Sequence, residues 1–317
     1  MKYLFKKTNE LTNQELLNIL SLFNEIFSQE RSLKELTAQY TSNPYLNSYH
    51  VLSIENTRIV GHFAFVPSDY LVDGKREKFV VGIDSFVVDG FRDGMVLLES
   101  YLCALDNFKQ RGVSIILGFP DTHVNKVYSK GKLYSNIGQL NIYILPYRVG
   151  GIYKKLKYFN LLSAALSMLP STVGSLIASR EVATYRIQKE PLSFNSERYS
   201  YGKSNYGRVN IKDFEFMFRI KLHEGIRTLF LIDVSIKSAR NFNLVVRYLI
   251  KHHRADFDLI MYVGNLKFKC HGLYKLPSRY SPKEFHVVHK ILDKNLDKAL
   301  FDDIRNFDLN FSNFDLV

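Results

Sequence analysis

Apolar residues recur along this chain with two periods, and the switch between them marks the elements. In LTNQELLNILSLFNEIF, residues 11–27, Leu16, Leu17, Ile19, Leu20, Phe23 and Ile26 form one stripe at helical spacing. Thr12 stands at the N-cap with Glu15 three residues on, a capping box that satisfies two otherwise orphaned amides. A second helix is expected over 32–40. Strand-like runs cover 2–7, 49–55, 58–66 and 79–88, with Asn56-Thr57 and Asp73-Gly74 as hairpin turns. A helix over 95–112, a strand over 113–120, a helical stretch after 121 and a strand over 138–146 follow. The first 148 residues thus read β, α, α, β, β, β, α, β, α, β.

Residues 149–191 read as a helical connection. Within it 158–179 carry no charge and are flanked by Lys154, Lys155, Lys157 and Arg180. That length suits a bilayer, but five serines, an Asn, a Thr, a Pro and a Gly keep the segment only modestly apolar. Pro170 lacks the amide that a helix interior needs, so a helix pair joined around it is expected, with no membrane span. Strands are expected over 214–221, 227–236 and 257–263, a helix over 242–252 and a last segment over 284–292. This β, β, α, β order echoes the first region without a residue repeat. The fold class is α/β, a mixed α+β sheet in two tandem domains, 1–148 and 192–317, around the connection 149–191. The tail NFDLNFSNFDLV alternates apolar and polar positions, as a strand returning to the first domain would.

The chain has 317 residues, of which 46% are hydrophobic. Its 43 Lys and Arg against 31 Asp and Glu give a net charge of +12, which favours an anionic partner. The basic residues stand singly or in pairs, with no run to track a nucleic-acid backbone. Two cysteines make neither a disulfide scaffold nor metal-ligand spacing, so no metal is expected and a reducing, cytoplasmic setting is. The start, MKYLFKKTNE, holds no apolar run of signal-peptide length.

The chemistry concentrates between Val81 and Tyr134. A strand, VGIDSFVV, delivers the loop DGFRDG onto the helix MVLLESYLCALDNFKQRG; VSIILGFP and DTHVNKVYSKGKLY follow. Free amides and the helix dipole make such a loop an anion site. Asp84 is an ionisable residue in an otherwise apolar strand, expected to be partly desolvated with a raised pKa; it is the candidate general base. His62, in GHFAFVP, and His123 are candidate substrate contacts. Cys103 lies in a helix pattern, and no Ser or Cys stands on a strained turn near a His.

This stretch resembles the acyl-CoA core of the GNAT superfamily of N-acyltransferases, and the resemblance implies a tandem GNAT-like fold. It places the coenzyme pyrophosphate at Arg92, Asp93 and Gly94, although the loop lacks the family's full spacing and the Asp93 carboxylate opposes an anion. It assigns pantetheine binding to the backbone of Phe86, Val87 and Val88, and a further coenzyme contact to Asn125. Gly118, Phe119, Pro120, Tyr128, Lys130 and Gly131 are similar to a loop in superfamily members from bacterial polysaccharide clusters. Here Asp121 replaces the usual Asn, and the spacing from Tyr to Gly is one residue short. That similarity makes Tyr128 the acid for the departing thiolate. The length, two-domain layout and tail resemble enzymes that acylate dTDP-linked amino-dideoxysugars for O-antigen or capsule. They imply acyl-CoA as co-substrate, no tightly bound cofactor, a nucleotide-linked amino sugar as acceptor, and acceptor binding by the second domain. Two other readings stay open: acylation of an antibiotic, polyamine or aminoacyl amine, and a non-catalytic binding protein. A polycationic acceptor suits a chain of +12 poorly.

Overall fold

Asn56 and Thr57 have φ 44° and 73°, and Asp73 and Gly74 47° and 81°, the left-handed pairs that two-residue hairpin turns require. These turns fix the first three-stranded meander. A computed structural model describes residues 1–43, 45–92, 94–189, 206–211, 214–281 and 283–314. In chain order the elements are β1 (Lys2–Lys7), α1 (Asn13–Phe27), α2 (Leu33–Thr41), β2 (Tyr49–Glu55), β3 (Arg58–Val72), β4 (Lys75–Val87), α3 (Met95–Gln110), β5 (Ile115–Gly118), α4 (Thr122–Lys130) and β6 (Ser135–Pro146). Then come α5 (Val149–Ile152), α6 (Asn160–Ile177), β7 (Ile187–Lys189), β8 (Tyr206–Ile211), β9 (Phe214–His223), β10 (Ile226–Val234), α7 (Ala239–His253), β11 (Leu259–Gly264), β12 (Tyr274–Lys275), β13 (Phe285–Ile291) and α8 (Lys298–Phe301).

The contacts divide the chain into two compact units, each discontinuous in sequence. The first is Met1–Gly138 with Arg186–Ser204 and His286–Asn306; the second is Gln139–Tyr185 with Asn205–Phe285 and Phe307–Val317. The boundary therefore does not fall at the expected connection alone. Residues 141–146 of β6 pair with β11 in the second unit, whereas residues 288–291 of β13 pair with β5 in the first. The expected last strand of the second region thus extends the sheet of the first. The tail from Phe307 belongs to the second unit, which corrects the expected return to the first.

In the first unit the strand order is β1-β2-β3-β4-β5-β13, with β7 on β3. Alternation sends neighbouring side chains to opposite faces. Val51, Phe63 and Phe65 pack with Tyr101, Ala104 and Phe108 of α3, while Leu52 and Ala64 pack with Ile19 and Phe23 of α1 and Leu36 and Tyr40 of α2. With both faces covered, β3 is buried almost without interruption, and from Ile59 to Pro67 its sequence is apolar apart from His62. Thr12 and Ser32 cap α1 and α2 through full capping boxes with Glu15 and Glu35.

In the second unit the order is β6-β11-β10-β9-β8, with β12 on β6. Phe242, Val245, Val246, Leu249 and Ile250 of α7 cover Leu229, Leu231 and Ile260 of the sheet. Burying each such side chain contributes about 1.5–3 kcal/mol. The expected break at Pro170 does not occur: α6 is continuous from Asn160 to Ile177. Proline forfeits one bond, to the Leu166 carbonyl. Serines 167 and 171, either side of the proline, are buried; Ser167 Oγ donates to the Pro146 carbonyl at 3.0 Å and holds the helix in place, while Ser171 Oγ donates to the Met168 carbonyl of the same helix.

Candidate active site

Strand β4 is the spine of the site. It runs parallel to β5 from Phe79 opposite Ile115 to Gly82 opposite Gly118, and there the pairing ends. β4 continues for five more residues, Ile83 to Val87, where among the described residues the strand pairs with β3 alone. The sequence accounts for the parting on both sides. After Gly118 the chain passes Phe119 to Pro120, which has no amide to donate. Gly118 itself is set by β13, since a Cβ there would meet Val288 at 3.0 Å. On the β3 side the register slips between His62 and Ala64, so that Phe63 faces the extra residue of a bulge in β4. Asp84 is in that bulge with φ 44°, a left-handed conformation costing a non-glycine residue on the order of 1–3 kcal/mol. The result is a stretch of strand with one edge left open beside the start of a helix.

Arg31 and Tyr40 both hold the Asp84 carboxylate. Arg31 Nη1 donates to its Oδ2 at 3.0 Å, and the Tyr40 hydroxyl donates to the same oxygen at 3.2 Å. The carboxylate is desolvated as expected, with 10% of its side chain exposed, but its charge is met by a guanidinium. Behind it runs a buried polar chain. Thr8 Oγ1 lies 3.0 Å from His50 Nε2, and His50 Nδ1 lies 3.1 Å from His62 Nε2. Burial drives both imidazoles toward the neutral form: His62 is pushed down to about 3, and His50 falls well below its usual value through burial and then through His62. His62 is fully buried, so its imidazole has no surface to offer a ligand. Burial also lifts the Tyr40 phenol well above its usual value, with the Asp84 charge adding to the effect.

The loop after β4 turns through Gly90 and Gly94, at φ 88° and 92°. Gly94 is the N-cap of α3 and has no side chain to close the helix start. Around Gly94 a Cβ would meet nothing within 4 Å, so the space there is open. Arg92 is about half exposed and pairs with Asp89 at 2.7 Å, while its Nε donates to the Val87 carbonyl at 2.8 Å. Both main-chain groups of Val88 are engaged: its N–H donates to Val60 and its carbonyl accepts from Phe91. Phe86 packs on His62 with ring centroids 5.4 Å apart. Asp93 lies outside the described residues, as does the side chain of His123, which sits in α4.

Helix α4 begins at Asp121, whose side chain accepts the Val124 amide at 2.8 Å. Asn125 is buried and accepts a hydrogen bond from Asn136 at 3.0 Å. The Tyr128 ring packs against Tyr134 at 4.7 Å, and Tyr134 against Tyr101 at 4.9 Å. Burial, with help from the Asp121 carboxylate, pushes the Tyr128 phenol up to about 12, so it keeps its proton at neutral pH. Burial and Asp106 raise the Cys103 thiol, which leaves it a poor nucleophile. Among the described residues no group of three or more His, Cys, Asp or Glu could hold a metal ion.

Arg31, Tyr40 and His50 are the site residues that the sequence reading missed. The two histidines flank a hairpin whose turn is legible, and counting outward from Asn56-Thr57 brings them close. A bulge near Ser53 decides that they share a face.

No family model and no curated protein sequence matches this chain. Solved structures do. It is similar to a GCN5-related N-acetyltransferase from Anabaena variabilis at 11% identity and a TM-score of 0.57, over 92% of this chain and 73% of that one. It is equally similar to a conserved protein of unknown function, a probable N-acyltransferase, from Enterococcus faecalis: 11% identity, TM-score 0.57, 92% and 73% coverage. Eis1 from Mycobacterium abscessus matches at 11% identity and a TM-score of 0.55, over 95% and 76% of the two chains. The chain therefore has the GNAT fold.

Proposed function

We propose that this protein is an acyl-CoA-dependent N-acyltransferase whose chemistry takes place in the first unit. The observation that carries this reading is the parting of β4 from β5 after Gly82, next to an uncapped helix start at Gly94. An open strand edge offers main-chain donors and acceptors to the amides of a pantetheine arm, and a helix start offers amides and dipole to a pyrophosphate. The phenol of Tyr128 is protonated and suited to a leaving thiolate. In the proposed reaction the lone pair of a neutral amine attacks the thioester carbonyl. The C–N bond forms and the C–S bond breaks. Tyr128 gives its proton to sulfur, the amine proton passes to solvent, directly or through Asp84, and the Tyr128 phenolate regains a proton from solvent. Positioning two bound substrates supplies much of the rate in such a transfer.

For the acceptor we infer a diphosphate-linked amino sugar, dTDP-linked in the reading favoured by the sequence. The excess of 43 basic over 31 acidic residues supports an anionic acceptor over a polycationic one. A thiol-release assay with a panel of acyl-CoAs against nucleotide-amino-sugars, polyamines and aminoglycosides tests both levels. Thiol release with none of the amines, together with no binding of coenzyme A, removes the enzymatic reading. Release that is far faster with polyamines or aminoglycosides removes the acceptor assignment alone.

A further inference from the structure

Helix α6 faces the wrong way for a core helix. The residues it buries are small: Ser167, Ser171, Gly174 and Ser175, at helical spacing. Ser163 and Ser167 donate to the Tyr147 and Pro146 carbonyls, each at 3.0 Å, while Ser171 and Ser175 donate to carbonyls of the helix itself. Gly174 lets the helix approach its neighbours closely, since a Cβ there would lie 2.7 Å from His271 and 2.8 Å from Asn243. The large aliphatic residues point outward instead. Leu161 is 87% exposed, Leu176 77%, Ile177 69%, Leu169 61%, Leu166 56% and Leu162 55%. Exposed patches beyond a few hundred Å² mark interaction sites, and these side chains run along about 27 Å of an 18-residue helix.

The surroundings say what covers that face. Lys154, Lys155 and Lys157 stand exposed before the helix and Arg180 after it. Exposed Tyr153, Tyr158 and Phe159 lie among them. Residues 148–180 contain five basic residues and no acidic one. A second copy of the chain would bring the same +12 charge and the same lysines, which oppose self-association. An anionic bilayer complements both features, because aliphatic side chains enter the acyl boundary while lysines and aromatics sit at the headgroups. The stretch Lys154–Ile177 is long and apolar enough to cross a membrane, but Ser163 and Ser167 bond its first half to Tyr147 and Pro146 and Gly174 seats its second half against His271 and Asn243, which suits a helix lying in the interface.

We infer that α6 and the lysines before it form a docking surface for anionic membranes. The test is flotation of the full chain with phosphatidylcholine vesicles, with and without phosphatidylglycerol. Two triple variants serve as probes, Leu161→Gln/Leu169→Gln/Leu176→Gln and Lys154→Gln/Lys155→Gln/Lys157→Gln. All six side chains are exposed, and thermal melts matching the wild type confirm that both variants fold. The expected result is binding that depends on phosphatidylglycerol and falls with salt. It should weaken at least tenfold in the leucine variant and on the order of a hundredfold in the lysine variant. Wild-type binding equal to that of the leucine variant overturns the proposal. So does the absence of vesicle binding, and a wild-type dimer that the leucine variant converts to monomer would then assign the face to a second copy.

Discussion

The two units repeat one device and finish it differently. In the second unit β10 runs parallel to β11 from Thr228 opposite Leu259 to Phe230 opposite Met261, and its register with β9 slips between Leu231 and Asp233. The parting and the bulge match those of β4 and β5. Here, however, the chain fills the opening itself. Asn310 donates to Asp233 Oδ1 at 2.7 Å and Ser312 to Oδ2 at 3.0 Å. Lys237 bridges Asp233 and Asp308 at 2.8 and 2.9 Å. Leu309 accepts the Asn265 amide, and Gly264 permits that approach, since a Cβ there would lie 2.8 Å from the Leu309 carbonyl. The start of α7 is closed as well: Ser238 caps it, and Ser179 accepts the Arg240 amide. Among the described residues the first unit leaves both features, strand edge and helix start, uncovered by its own chain. One geometry is thus the proposed substrate cradle in one unit and a seat for the C-terminal segment in the other.

The comparison breaks most sharply at Lys237. Burial works against its charge, yet Asp233 and Asp308 outweigh that and hold its pKa well above the usual lysine value. Lys237→Met leaves the buried Asp233 and the half-buried Asp308 carboxylates without the cation they share. It should cost about 3–5 kcal/mol, read as a fall in the urea midpoint, with coenzyme affinity unchanged in the folded protein. A midpoint near the wild type would mean that this ion triad is not what seats the tail. In the first unit Tyr128→Phe keeps the ring stack and removes the proton. Turnover should fall at least about a hundredfold with little change in stability or coenzyme binding; a threefold loss or less would leave positioning alone to carry the rate.

His62 sharpens the contrast through pH. It is held neutral in the fold, so its folded pKa lies below the ordinary value of about 6.5. Above that pH both states are neutral and stability is complete. As pH falls from about 6.5 toward about 3, the unfolded chain takes the proton first and stability is lost. This histidine should account for about 2 kcal/mol between about pH 6.5 and 5, and stability curves of His62→Gln should be flatter by that amount. Identical slopes would show that His62 does not titrate differently on unfolding. The smallest effect is expected at Gly94. Gly94→Glu puts a carboxylate at an open helix start and should weaken coenzyme A binding about tenfold or more by calorimetry. Unchanged affinity in the folded variant would move the pyrophosphate elsewhere.

Much of the local structure was legible from the residues alone. The capping boxes at Thr12 and Ser32, the turns at Asn56-Thr57 and Asp73-Gly74, the helix after Gly94 and the strand ending Gly118-Phe119-Pro120 depend on neighbours a few positions apart, and they form as their residue types dictate. The order of strands and helices in each half followed, and with it the fold class. What tertiary structure decided lies at long range. Pro170 stays inside a helix that Ser167 anchors to another segment, through the Pro146 carbonyl. β13 lies beside β5 because its backbone finds a partner some 170 residues earlier in the chain, between Val288 and Gly118. The tail reads as an alternating strand, yet residues 307–314 are mostly buried around a turn of 3-10 helix at Phe311–Asn313, where Asp233 and Lys237 offer partners to Asp308, Asn310 and Ser312. Asp84 meets Arg31 and Tyr40, and His50 meets His62, only after bulges shift the register by one residue. A one-residue shift turns side chains to the opposite face of a sheet, and hydrophobic periodicity does not record where such a shift occurs.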